Sequence, residues 1–388
     1  PLTVRLMRIM LLSAIIFGVS GVFMGALNAR QHFLLPALAA SMYNIGIILG
    51  ALLIKPTELG LAWGTVGGAL GHLLIQLPGL RQKQARYSAV FSLRDPGVQQ
   101  VLRLMAPRVL GLSFSEVNKF VAVFLTGAMP LGSLPALNTA LRLLLMPQGV
   151  FGQALGIAAF PTLAELAARS ALAEMRQIVA DSLRIVLFLG LPITVLFATL
   201  GRPIVVILFE RGLFQADDTS LVVLALFYYA LALVALTALE VVARAFYSLN
   251  DTLTPVLAGG LQILLMLVLS LWFSRSLFPA LGQPPLGGVA LGFSLSNILE
   301  VSVLLWLLKG RLGGLNGRFL LNGFWRMSVA AVVMWVGITA VLQLLQSVWL
   351  EAIAGTLIGG LIYLIANWLL GVQELQQFIS YGRRHLGR

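Results

Sequence analysis

Hydrophobic residues in this chain fall into long uninterrupted runs rather than the short periodic stretches of soluble helices and strands. Eleven such runs are each long enough to cross the roughly 30 Å hydrocarbon layer of a bilayer as a helix. We place them at 9–27, 36–54, 61–80, 104–130, 134–163, 185–201, 221–247, 254–274, 286–308, 327–346 and 352–371. The pattern predicts an all-α, polytopic membrane protein with about eleven transmembrane helices.

The composition agrees with this class. Hydrophobic residues make up 59% of the 388 positions and charged residues only 10%, against about 25% charged in soluble domains. There are no cysteines, which excludes disulfides and thiolate metal sites. In a soluble protein the net charge of +12 would suggest nucleic acid binding, but here the positive charge follows membrane topology.

Most of the lysines and arginines fall in alternate connections between the runs. The basic connections are 81–103, 165–184, 309–326 and the tail 372–388. By the positive-inside rule these segments are cytoplasmic, and so is the C-terminus. The tail is short, basic and partly amphipathic, so we expect it to lie on the anionic inner leaflet.

The chain also contains an internal repeat. Residues 26–39, ALNARQHFLLPALA, match 245–258, AFYSLNDTLTPVLA, and the glycines of 60–64 match those of 288–292. The offset of about 220 residues corresponds to six helices, so both copies have the same orientation, as in some transporters. We therefore divide the chain into a first part of three helices (1–102), a six-helix part (103–312), two further helices (313–371) and a basic tail (372–388). The same arithmetic predicts that about three helices precede the first residue of this chain.

Run 134–163 is the most unusual segment. Arg142 lies within it, at a depth where a charge costs about 2.5–3.5 kcal/mol on insertion scales. Pro147, Gly149 and Gly152 follow, and a proline inside a helix removes a backbone donor and favours a kink. We interpret Arg142 as an anion-binding residue facing a water-filled cavity. We interpret Pro147, Gly149 and Gly152 as a hinge. A snorkelling or structurally paired arginine is the alternative.

Five other charged residues lie inside predicted spans, and each is a candidate for lining the cavity or for coupling to an ion. Glu116 and Lys119 are spaced to pair on one helix face, as are Glu240 and Arg244, and structural pairing is the simpler interpretation of both. Glu300 has no partner at helical spacing. It must face a cavity, meet Lys119 or Arg142 across the bundle, or be protonated.

Enzyme chemistry finds no support in the sequence. The three histidines are far apart and have no metal-ligand spacing. We interpret His72 as a packing or hydrogen-bonding group. Nothing indicates a nucleotide-binding loop, so we expect neither a cofactor nor a metal and identify no catalytic residue.

Several segments resemble a known family in the family's own order. Three carry most of the likeness: 140–152 (ALRLLLMPQGVFG), 208–214 (LFERGLF) and 245–255 (AFYSLNDTLTP). They are similar to the arginine-then-LPxG helix, the LFxxGxF segment and the FYAxxDTxTP turn of the MurJ/MviN lipid II flippases of the MOP superfamily. Residues 38–50 and 76–78 fit the same family.

The resemblance implies a fourteen-helix, two-lobe transporter, of which this chain would begin near the fourth helix. It implies alternating-access flipping of the undecaprenyl-diphosphate-linked peptidoglycan precursor, lipid II, to the outer leaflet during cell wall biogenesis. The implied location is the bacterial inner membrane, and the implied partners are the precursor and membrane lipids. We expect a monomer that contacts cell-wall synthesis proteins. Family arginines grip the diphosphate, and Arg142 matches one of them.

The chain departs from the family at some positions. Leu141 and Leu145 replace acidic or amide residues that flank the key arginine in many members, and no sodium ligands can be assigned. Three alternatives stay open: a flippase for another polysaccharide-linked lipid, a drug or cation antiporter of the same superfamily, and a transport-inactive scaffold.

Overall fold

The computed structural model describes residues 2–30, 32, 34–82 and 95–376, without the side chains of 29, 103, 104 and 106–115. The predicted cytoplasmic residues 83–94 and the tail from 377 lie outside the described residues. The helices are α1 (Leu2–Ala29), α2 (Leu34–Leu53), α3 (Thr57–Leu74), α4 (Leu77–Gln82), α5 (Pro96–Thr126), α6 (Ser133–Pro147), α7 (Ala154–Ala168), α8 (Leu172–Phe209), α9 (Ala216–Ala230), α10 (Leu233–Ser248), α11 (Leu253–Trp272), α12 (Phe278–Ala280), α13 (Leu286–Arg311), α14 (Gly317–Leu342) and α15 (Val348–Leu369). Two π-helical turns, Gln148–Gln153 and Phe273–Leu277, follow α6 and α11.

The prediction of an all-α polytopic membrane protein is confirmed. Within the described residues, eight helices are long and apolar enough to cross a membrane, and the bent pair α9–α10 makes a ninth. The predicted spans 61–80 and 104–130 correspond to α3 and α5, which are not in that set. Glycines, Glu58 and His72 lower the hydropathy of α3. Part of α5 has undescribed side chains, so its assignment as a span stays a prediction.

Two predicted spans differ from the observed helices. Run 185–201 is the middle of the 38-residue α8, which reaches roughly 57 Å at about 1.5 Å per residue. Residues 172–184 extend the helix because nine of the thirteen are leucine, alanine, arginine, methionine, glutamate or glutamine, which favour helix.

The predicted single span 221–247 bends by 45° between α9 and α10. Hydroxyl groups on neighbouring helices bond the carbonyl groups near the bend. Thr194 Oγ1 donates to the Ala230 carbonyl at 3.2 Å, and Ser294 Oγ donates to the Tyr228 carbonyl at 2.7 Å. Such bonds are needed because lipid offers the backbone no hydrogen-bond partners.

The chain divides into two compact units, Pro1–Gln99 and Gln100–Arg388. In the first unit, α2 and α3 pack backbone to backbone through glycines. A Cβ added at Gly46, Gly50 or Gly60 would overlap the facing backbone, so only small residues permit this approach. The domain boundaries at 102 and 312 stay predictions.

A buried polar cluster joins α1 to α3 in the first unit. The Ser20 hydroxyl lies 2.6 Å from Nδ1 of His72, and Nε2 of Gln76 donates to Ser20 Oγ at 2.8 Å. The Phe17 ring packs edge-on against the His72 ring. His72 is thus a hydrogen-bonded core residue, as its glycine-rich context indicates.

The second unit has three apolar cores. One joins α6, α9, α11 and α13, the second joins α7, α8, α10 and α13, and the third joins α14 and α15 to α8. Val372 and Leu375 are buried in the third core. The predicted surface tail 372–388 therefore begins inside the bundle, because its first residues bury apolar side chains there.

A buried ion pair fastens this C-terminal segment to α8. Arg184 Nε lies 2.5 Å from Glu374 Oε1, and Nη2 donates to Oε2 at 2.8 Å. The guanidinium also lies 4.0 Å from the centroid of the Phe319 ring on α14. Both charged side chains are at most 10% exposed, so each depends on the other for compensation of its charge.

We expect Glu374→Ala to lower the free energy of unfolding by about 3–5 kcal/mol, because it leaves the Arg184 charge buried and unpaired. The double variant Arg184→Met/Glu374→Leu should recover most of that loss. The matched control is Glu165→Ala, which breaks an exposed pair with Arg169 and should cost under about 1 kcal/mol. Melting curves of the purified protein in detergent measure the differences, and equal shifts for the two single variants would contradict this assignment.

Candidate functional site

Arg142 lies on the exposed face of α6. The opposite face of this helix is buried at Ser133, Ala136, Leu137, Ala140, Leu143 and Leu144. These positions follow the three- and four-residue spacing of a helix stripe and pack against α9. Arg142 therefore points away from the core. Among the described residues it makes no ion pair or hydrogen bond.

Asn138 lies four residues before Arg142 and is also exposed. Residues four apart share a helix face, so an amide and a guanidinium lie next to each other on this surface. Asn138 is not among the residues predicted from the sequence, although its four-residue spacing from Arg142 is a signal for it.

The predicted helix break after Arg142 is a π-helical turn. Pro147 ends α6, the turn spans Gln148–Gln153, and α7 continues the helix to Ala168. The proline has no N–H to donate, and the wider turn accommodates that loss. The helix is therefore continuous and locally widened at the predicted hinge, and the hinge role of Pro147, Gly149 and Gly152 stays a prediction.

The turn and the first residues of α7 pack against α10 at three successive levels. Gln148 Nε2 donates to Glu240 Oε1 at 3.1 Å. A Cβ on Gly152 would lie 3.3 Å from Thr237 Cγ2, and a Cβ on Gly156 would overlap the Arg244 guanidinium. A Cβ on Gly149 would meet no atom within 4 Å. Of the two predicted hinge glycines, only Gly152 contacts a neighbouring helix.

Glu240 and Arg244 form the ion pair that the sequence predicts. Arg244 Nη1 lies 2.5 Å from Glu240 Oε2 and also donates to the Glu240 carbonyl at 2.6 Å. Both side chains are about a quarter exposed. They border a pocket of about 390 Å³ that is also lined by Phe160 and Tyr247. The Glu240 carboxylate thus joins the π turn to Arg244.

Glu116 and Lys119 also pair, at 2.8 Å, and both are largely exposed. Glu300 is buried on α13, and among the described residues it makes neither an ion pair nor a hydrogen bond. Of the three alternatives for Glu300, the structure shows no contact with Lys119 or Arg142, and a cavity or a protonated state stays open. Near Glu300, hydrogen bonds link the side chains of Asn118, Gln262 and Ser296. These residues were not predicted from the sequence, because uncharged amides and hydroxyls are common within apolar helices and do not stand out as charged residues do.

The turn before α11, which lies in segment 245–255, has a structural role. Asp251 accepts hydrogen bonds from the Thr254 backbone at 3.0 Å and the Thr254 hydroxyl at 2.8 Å, and it pairs with Arg311 at 3.0 Å. These bonds and the Arg311 charge hold the pKa of Asp251 below its usual value. The turn thereby ties the start of α11 to the end of α13.

An apolar groove of about 630 Å³ lies between α8, α10, α13 and α14. Leu187, Val234, Leu305 and Phe324 are among the residues that line it. Thr194 and Ser302 also line it, and no charged side chain does so among the described residues. Such a groove suits an extended hydrocarbon chain.

Comparison with known proteins identifies relatives over nearly the whole chain. The family model for the lipid II flippase MurJ matches residues 1–367. A lipid II flippase MurJ of Burkholderia cenocepacia is 28% identical over 276 residues, covering 69% of this chain and 54% of that protein. A probable lipid II flippase MurJ of Bdellovibrio bacteriovorus is 28% identical over 346 residues, covering 87% and 64% respectively. The chain thus spans about half to two thirds of these relatives.

A solved structure has the same fold. It is a lipid II flippase MurJ in an inward closed conformation, with a TM-score of 0.75 and 24% identity. The match covers 99% of this chain and 75% of the other. On the strength of the family match across residues 1–367, this multi-pass membrane protein belongs to the lipid II flippase MurJ family.

Proposed function

We propose that this chain is part of a flippase that moves lipid II from the inner to the outer leaflet of the bacterial inner membrane. The observation that carries the proposal is Arg142, an unpaired arginine on the open face of a membrane-spanning helix in the second unit. A charge in that position is costly, so a polar or anionic partner must reach it during function.

A lipid diphosphate has the chemistry to be that partner. The planar guanidinium donates paired hydrogen bonds to phosphate oxygens, and Asn138 supplies a further amide on the same face. Moving the head group across the bilayer breaks no covalent bond, so the proposed activity needs binding and conformational change rather than catalysis. The relatives named lipid II flippases support this choice of substrate.

The apolar groove accounts for the other half of such a substrate. Its aliphatic and aromatic lining offers a polyprenyl chain a surface within the second unit, while the polar head group meets Arg142. We place the C-terminus in the cytoplasm, because the basic connections require it under the positive-inside rule. We propose a monomer that hands its substrate to cell-wall synthesis proteins.

The contacts of the π turn support an alternating-access cycle. A change at Gln148–Gln153 would re-aim the preceding helix α6, which carries Arg142. The three contacts with α10 hold the turn and the start of α7 in one arrangement. The Glu240–Arg244 pair is partly exposed, so water can replace its contacts when it rearranges. We therefore assign Glu240 and Arg244 to positioning of the substrate-binding helix rather than to substrate contact.

Arg142→Ala should abolish flipping in the full-length gene product. Hydrogen bonds to charged groups contribute about 1.5–3 kcal/mol, so lipid II binding should weaken by roughly ten- to a hundredfold. The assay is rescue of a bacterium depleted of its own lipid II flippase, with labelling of outer-leaflet lipid II. Arg142→Lys keeps the charge but loses the planar fork, and we expect partial rescue.

The matched control is Arg202→Ala, which removes an exposed arginine near the end of α8 and should leave rescue intact. Rescue by Arg142→Ala at equal membrane levels would remove this residue from the site. Absence of rescue by the well-expressed parent would redirect the proposal to another lipid-linked saccharide, which shares the diphosphate and the polyprenyl tail.

Gly156→Ala should impair transport, because the added methyl group overlaps the Arg244 guanidinium and must displace it from its place beside Glu240. The matched control is Gly149→Ala, where a methyl group meets no neighbouring atom. The chain has no cysteine, so a single Leu145→Cys probe can report the accessibility of the α6 surface. Gly156→Ala should change the labelling rate of this probe several-fold and Gly149→Ala should not. Equal effects of the two alanines would contradict the proposed role of the contact.

A further inference from the structure

Glu300 is the one buried carboxyl group among the described residues of the spanning helices that has no partner. It lies in the middle of α13 and is 8% exposed. By contrast, the acidic groups of Glu374, Glu240 and Glu116 each lie within 2.8 Å of an arginine or lysine nitrogen. Glu300 therefore needs another source of charge compensation.

The residue of α11 that lies next to the Glu300 carboxyl group is a glycine. A Cβ on Gly259 of α11 would lie 3.6 Å from Glu300 Oε1. Gly259 and Gly260 are themselves only partly buried. A partly exposed glycine of α11, rather than a bulky side chain, thus lies next to the carboxyl group.

A polar series leads away from the same face. Ser296 lies one helical turn before Glu300 and accepts a hydrogen bond from Gln262 Nε2 at 3.0 Å. Gln262 Oε1 accepts one from Asn118 Nδ2 on α5 at 3.4 Å. Asn118 Oδ1 is buried and has no hydrogen-bond partner. The buried interface between α5, α11 and α13 is thus polar beside the carboxyl group.

The helices that pack against α13 bring no charge to Glu300. Their charged or titratable side chains are Arg142 on α6; Asp217, Asp218, Tyr228 and Tyr229 on α9; Glu240, Arg244 and Tyr247 on α10; and Arg275 in the second π turn. Helix α11 has none, and α13 itself has Lys309 and Arg311 near its end. Helix α5 has the Glu116–Lys119 pair and also Arg103 and Arg108, whose side chains lie outside the described ones. Among the described residues, none of these groups forms an ion pair or hydrogen bond with Glu300.

The neighbouring oxygens also fit a proton better than a metal cation. Sodium needs several oxygen ligands around it, but Gln262 Oε1 and Ser296 Oγ are already engaged in hydrogen bonds. The described residues contain no group of three acidic or histidine side chains that could hold a metal ion. A bare carboxylate inside a membrane protein is costly, whereas a bound proton removes the charge outright.

We propose that the Glu300 carboxyl group is an exchangeable proton-binding site at the α11–α13 interface. It takes a proton from water when the Gly259 side is hydrated and holds it as a neutral carboxylic acid when the interface is closed. Release returns the proton to water and leaves the carboxylate. That this exchange accompanies transport rests on the proposed flippase function, but the binding site itself does not.

Infrared difference spectroscopy of the purified full-length protein in nanodiscs tests the site directly. We expect a protonated-carboxyl band that decreases as the pH is raised and that is absent in Glu300→Gln. The matched control Glu174→Gln removes an exposed carboxyl group and should leave the band unchanged. A band that persists in Glu300→Gln, or one that does not change from mildly acidic to mildly alkaline pH, overturns the proposal.

Two further arms keep the test independent of folding and of metal binding. Gly259→Ala places a methyl group in ordinary contact with the carboxyl group and must move the midpoint of the titration even if Glu300→Gln fails to fold. Replacing potassium by sodium at constant ionic strength should leave the band unchanged. A static midpoint in Gly259→Ala, or loss of the band on adding sodium, overturns the proton assignment.

The transport arm separates this proposal from the flippase function. Outer-leaflet lipid II should depend on external pH in the parent, and Glu300→Gln should flatten that dependence by at least severalfold. If the carboxyl band titrates but the flipping rate does not depend on pH, the coupling of proton exchange to transport is overturned and the proton-binding site stands. A titrating band in a protein that moves no lipid II would contradict the proposed substrate instead.

Discussion

The absence of water within the bilayer is the constraint on which the rest of this structure depends. Every polar group there needs a protein partner, and most of them have one. Buried Arg184 has Glu374, the carbonyl groups at the α9–α10 bend have Thr194 and Ser294, and His72 has Ser20. Against this background Arg142 and Glu300 stand out, because among the described residues neither forms an ion pair or a hydrogen bond.

Close helix packing depends on residues with little or no side chain. Lipid provides no hydrophobic drive for association between helices, so contact area and hydrogen bonds must supply it. In the first unit, glycines bring the backbones of α2 and α3 together. In the second, Gly288 and Gly292 do the same for α13 against α11 and the turn after it. The two helix pairs occupy corresponding places in the sequence repeat.

Arg142, the π turn and the contacts with α10 follow one another along the same helix. Pro147 removes a backbone donor, and the helix widens into a π turn after it. Helix α10 contacts this turn and the start of α7 at three levels. The charged pair Glu240–Arg244 gives this contact an electrostatic component that solvent can reach. The groove is apolar and Arg142 is charged and exposed, so the second unit offers both an apolar and a cationic surface.

Sequence alone determined the all-α membrane class, the approximate positions of most apolar helices, and the two ion pairs at helical spacing, because length, hydropathy and three- or four-residue spacing are local properties. It also selected Arg142 and the proline after it. Only the tertiary structure decided that Glu300 lacks a partner, that Arg244 packs on Gly156, that Asn118, Gln262 and Ser296 are linked, and that Glu374 is buried. Those facts depend on which helix faces come together, and contacts between distant residues leave no periodic trace in a single sequence.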